Sequence, residues 1–125
     1  MPPQSRPIKI CGSRLFDGRE IVENGCVVFN GSRIVSVGSP GSIEAPSDAE
    51  SYELRGYTIL PGLVDAHVHY TGFRSGDYIK ESLITPFGVF VARAIRDLER
   101  TLEAGYTTVV DAGGVVALHL KRAVE

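Results

Sequence analysis

The sequence predicts an α/β protein in two parts. Residues 1–60 form a small antiparallel β-domain, and residues 61–125 open a parallel α/β arrangement. Two observations carry this prediction. Short apolar-rich runs cut by turn dipeptides fill the first part, and a strand–helix–strand–helix pattern fills the second.

Ile8 to Cys11 and Arg14 to Phe16 are the first apolar runs, ended by the turn dipeptide Asp17-Gly18. Cys26 to Phe29 and Arg33 to Val37 flank Asn30-Gly31-Ser32. Asn-Gly between β-branched runs is a strong hairpin signal. Gly38 to Ser42 and Ala45 to Asp48 mark a loop rich in glycine, proline and serine. Tyr52 to Leu54 and Tyr57 to Leu60 resume the strand pattern.

At Pro61-Gly62 the character changes. Leu63 to His69 reads as a strand, and a polar loop with Gly72 and Gly76 follows. Thr85-Pro86 then offers a helix start, with Thr85 as N-cap and Pro86 at the first helical position. Val91, Ile95, Leu98 and Leu102 form one apolar stripe on that helix. Arg93, Arg96, Asp97, Glu99 and Arg100 fall on its other faces and read as solvated surface. Gly105 stands where a C-terminal glycine cap belongs. Tyr106 to Val110 is a second strand ending at Asp111-Ala112-Gly113-Gly114, and the pattern turns helical again from Val115. Two strands neither close a barrel nor cover both their faces, so the chain is expected to end before its fold is complete.

Composition narrows the function. Thirteen Lys+Arg against fifteen Asp+Glu give a net charge of −2, and no basic run exceeds Lys121-Arg122. That excludes nucleic acid as the main partner. No apolar stretch approaches the roughly 20 residues of a membrane helix, so no membrane partner is expected. Met1 to Pro7 lacks the apolar stretch of a signal peptide, and the expected address is the cytoplasm. Cys11 and Cys26 have no C-x-x-C spacing and read as plain buried thiols of a reducing compartment.

The chemistry concentrates in one strand. Residues two apart on an extended strand share a face, so Asp65, His67 and His69 point one way. Two imidazoles at that spacing can lean onto one divalent ion, and Asp65 can orient a ring as hydrogen-bond acceptor. H-x-H alone is a weak signal. Its place at the carboxyl end of a buried strand, before a flexible loop, strengthens it, because α/β folds build sites there. His119, in the terminal helical stretch, reads as a surface histidine. Arg74, Asp77, Tyr78 and Lys80 lie in the loop after the strand, where substrate contact and plain solubility explain them equally well.

Leu60-Pro61-Gly62-Leu63-Val64-Asp65-Ala66-His67-Val68-His69 resembles the strand-one signature of the amidohydrolase superfamily of metal-dependent hydrolases. Ala104 to Gly114 resembles that superfamily's second strand, closest in flavour to its imidazolonepropionase-like and Xaa-Pro dipeptidase-like branch. The first sixty residues resemble its N-terminal β-domain. The resemblance implies a β-sandwich part of a composite domain (1–60) and the first two βα units of a (β/α)8 TIM-like barrel (61–125), the chain being an N-terminal fragment. It implies His67 and His69 as metal ligands, and Asp65 and Asp111 as structural or ligand-supporting residues. The catalytic aspartate is expected beyond Glu125.

The implied reaction is hydrolysis of a C–N bond by metal-activated hydroxide, in a non-peptide amide, cyclic amide or prolyl dipeptide. The implied cofactor is one or two divalent metal ions, zinc first, and the implied partner is a small amide-type substrate. The 125 residues alone are expected to be inactive. The alternative is a non-enzymatic metal-binding or interaction module acting as a homo-oligomer, with two His67/His69 pairs sharing one ion.

Overall fold

A computed structural model describes residues 6–124. The stretch Met1 to Ser5, which belongs to the segment read as lacking a signal peptide, lies outside the described residues. The chain divides between Pro61 and Gly62 into two compact units.

The first unit is one five-stranded sheet of β1 (Ile8–Phe16), β2 (Ile21–Glu23), β3 (Cys26–Asn30), β4 (Arg33–Gly38) and β5 (Glu50–Ile59). β1 is its organiser. It pairs antiparallel with β2 at one end and with β3 at the other, and β4 folds back onto β3. The expected turns form as their chemistry requires. The Asp17 carboxylate accepts the N–H groups of Arg19 and Glu20 at 2.8 and 2.9 Å, and Asn30 pairs with Arg33 around Gly31-Ser32. The sheet is not wholly antiparallel, however. β5 runs parallel to β1, because the loop after β4 carries the chain back to the free side of β1.

Cys11, Leu15, Cys26 and Val28 are buried in this sheet. The expectation of two plain thiols is overturned: Cys11 and Cys26 form a disulfide. They are direct partners in the β1–β3 register, with Cα atoms 4.1 Å apart. Register, which spacing along the chain does not reveal, brings the two sulfurs together.

The second unit contains β6 (Leu63–Val68), α1 (Tyr78–Ile84), α2 (Phe87–Glu103), β7 (Tyr106–Asp111) and α3 (Val115–Val124). β6 and β7 pair in parallel. Its core is Tyr70, Phe90, Ala94, Val116 and Leu120, with Val68, Phe73, Val91, Leu98 and Val109 packed against it. No helix among the described residues is long and apolar enough to cross a membrane.

Three local expectations change here. Part of the loop after β6 is helix α1, started by Asp77, whose side chain accepts the Lys80 N–H at 3.0 Å. Thr85 ends α1 rather than capping α2, and Pro86 takes the N-cap position of α2. The buried face of α2 centres on Phe90 and Ala94; of the expected stripe Val91 and Leu98 pack beside them, while Ile95 and Leu102 are exposed. Gly105 closes α2 in the left-handed region at φ 94°, its N–H bonded to the Leu102 carbonyl at 2.9 Å. Gly72, at φ 74°, lies so close to the backbone of Phe90 that a Cβ would overlap the Phe90 carbonyl.

Candidate metal centre

The site begins with an irregularity in β6. Asp65 pairs with Val109 and Val68 with Asp111, so Ala66 and His67 together oppose the single residue Val110. That extra residue is a bulge, a device that re-aims side chains beside sites. The Asp65 carboxylate accepts the His67 N–H at 3.1 Å. Asp65 thus steadies the bulged backbone; its bond is to main chain, not to an imidazole ring.

Despite the bulge, His67 and His69 stand together. Their ring centroids lie 5.1 Å apart and their planes meet at 77°. Both are exposed, whereas Val68 and Tyr70, alternating with them, turn toward the core. His69 Nδ1 lies 3.3 Å from the Gly113 carbonyl oxygen. A carbonyl only accepts, so in the neutral ring this contact calls for the proton on Nδ1, which leaves the Nε2 lone pair for a ligand.

Asp111 ends β7 and binds on both sides. One carboxylate oxygen accepts the Tyr70 N–H and the other the Gly113 N–H, each at 2.9 Å. The Ala112 N–H adds a bond to the Val68 carbonyl at 2.9 Å. The carboxyl ends of the two strands are laced together around the histidine pair.

The loop after β6 is clamped rather than merely solvated. Arg74 grips both Asp97 oxygens at 3.0 Å and also donates to the Phe73 and Arg93 carbonyls. Glu81, buried on α1, accepts the backbone N–H groups of Arg74 and Ser75 and pairs with Arg93 at 2.7 Å. The two backbone N–H groups, then the guanidinium, outweigh burial and pull its pKa to about 2 from an ordinary 4.5. Arg93 and Asp97, expected as plain surface, are therefore fasteners of this loop. Tyr78 packs its ring on Phe73, and His119 on α3 packs against Phe87. Sequence reasoning missed Glu81 and the Gly113 carbonyl. The only local cue to the first was Asp77 standing as an N-cap four residues before Glu81.

Two imidazoles with one ring fixed by a backbone acceptor fit a divalent ion such as zinc as part of its ligand set. Among the described residues no group of three or more His, Cys, Asp or Glu side chains is placed to hold an ion.

Fold and site together define a sheet unit and a β–α–α–β–α unit with a histidine pair at the carboxyl end of its first strand. No family model matches the chain. It is 28% identical over 102 residues to the imidazolonepropionase of Deinococcus deserti, covering 80% of this chain and 23% of that protein. Its structure superposes on the Aspergillus niger ochratoxinase with TM-score 0.74 and 28% identity, covering 94% of this chain and 28% of that one. A Xaa-Pro dipeptidase superposes with TM-score 0.71 and 27% identity, over 94% and 30% of the two chains. These likenesses, over most of the chain, support the amidohydrolase superfamily as its kin. It spans less than a third of the length of each of these three proteins.

Proposed function

We propose that this chain supplies the N-terminal sheet unit and the first two βα units of a (β/α)8 barrel hydrolase that cleaves a C–N bond in a small amide-type substrate. A non-peptide amide, a cyclic amide or a prolyl dipeptide is the substrate class. The observation that carries the reading is the His67/His69 pair, with its rings 5.1 Å apart and His69 Nδ1 turned to the Gly113 carbonyl. Relatives named imidazolonepropionase and Xaa-Pro dipeptidase support the C–N bond.

Bound to this pair, a divalent ion, zinc first, supplies Lewis acidity toward water and the substrate carbonyl. His67 and His69 hold it. Asp65 steadies the bulged backbone at His67, and Asp111 keeps the strand ends in place. A catalytic zinc site takes three protein ligands and an open position, so these two histidines bind zinc weakly by themselves and the 125 residues alone turn over no substrate.

Zinc titration of the full chain tests this. His67→Asn and His69→Asn are expected each to remove binding at this site, while His119→Asn leaves it intact. Equal loss from all three variants would refute the assignment.

A further inference from the structure

We propose that Asp111 is a positioning residue that sets the ring of His69, through the Gly113 carbonyl, so that Nε2 faces a metal. The inference rests on the reading of His67 and His69 as a metal pair and assigns the group that tunes it. One carboxylate holds both ends of a single contact. Its Oδ2 fixes the N–H of Tyr70, the residue that follows His69, at 2.9 Å. Its Oδ1 fixes the N–H of Gly113 at 2.9 Å, and the carbonyl of that same Gly113 lies 3.3 Å from His69 Nδ1. Gly113 and Gly114 have φ of 145° and 127°, values that side-chain-bearing residues rarely adopt. The turn that presents this carbonyl therefore depends on glycine, and the carboxylate pins it.

Charge and chemistry point the same way. A carboxylate accepts from two N–H donors at once, whereas an asparagine in its place must present its own NH2 to one of them. Asp111→Asn thus frees either the backbone after His69 or the Gly113 turn. Partners that hold a ligating imidazole by its other nitrogen set its tautomer, and their loss typically weakens metal binding about 10–100-fold.

The experiment is long-range 1H–15N correlation on the full chain with 15N-labelled histidine, at alkaline pH. The His69 signals are identified by their loss in His69→Gln. The expected result is an Nδ1–H ring for His69 in the parent protein. In Asp111→Asn that ring becomes a mixture of tautomers, His67 is unchanged, and Zn2+ binds about 10–100-fold more weakly. An Nε2–H ring in the parent protein overturns the proposal, and so does a His69 pattern that Asp111→Asn does not alter. Should that variant not fold, the parent spectrum decides, because an Nε2–H ring breaks the chain of contacts at its last link. Zn2+ that moves neither histidine's signals overturns the metal reading instead, and the tautomer result is read without it.

Discussion

Glu81 shows how much one carboxylate can hold. It takes two backbone N–H groups from the loop after β6 and the guanidinium of Arg93 from α2, so loop, α1 and α2 meet at its oxygens. Its pKa of about 2 lies below the ordinary 4.5. A carboxyl depressed on folding stabilises the folded state fully above its unfolded pKa, and that contribution disappears as pH falls through the folded value. The stability of the second unit is therefore expected to decline as pH drops from about 4.5 to about 2. Glu81→Gln should lower stability at neutral pH and flatten that decline. Urea unfolding midpoints across the acid range, followed by a probe in the second unit, check this. An unchanged slope in the variant would place the acid sensitivity elsewhere.

At the level of elements, the β1–β3 pair carries a testable consequence. The disulfide closes a loop with a sequence separation of 15, and cross-linking a loop of that size stabilises by about 3 kcal/mol, chiefly by restricting the unfolded chain. Cys11→Ser with Cys26→Ser should destabilise the first unit by about that amount, and a thiol reductant should reproduce the loss. If denaturation midpoints with and without reductant coincide, the two cysteines are reduced in solution. This bond also marks where the sequence stops being legible. Asp17-Gly18, Asn30-Gly31 and Gly105 announced their turns because each acts within three or four residues. The histidine pair was legible for the same reason, since H-x-H on a strand is local. The cysteine pairing, the parallel docking of β5 and the place of Phe90 and Ala94 at the centre of the α2 face were not. All three depend on which residues the tertiary register sets opposite one another. The Gly113 carbonyl belongs with them, because 44 residues separate it from the imidazole it meets.

For the whole molecule, the telling quantity is apolar surface left in water. In the second unit Ile79, Leu83, Leu118 and Val124 are 70–80% exposed, and Val64 on β6 is 62% exposed. In the first, Ile34, Val35 and Tyr57 are 62–69% exposed. Scattered exposed apolar residues are ordinary, but contiguous ones mark surfaces that other protein covers. A parallel sheet is normally covered on both faces, and among the described residues the β6–β7 sheet has two strands. The outer edge of each strand is left without a β partner within this pair, and unpaired edges recruit other chains. The 125 residues by themselves are therefore expected to self-associate and to bind a hydrophobic dye such as ANS. Sedimentation velocity over a tenfold or wider concentration range reads the first and fluorescence the second. A monodisperse monomer without dye binding would mean that these side chains repack in solution. In that case the unit containing the histidine pair would be self-sufficient, and zinc stoichiometry per chain would become the sharper guide to whether it works as a binding module or as part of a hydrolase.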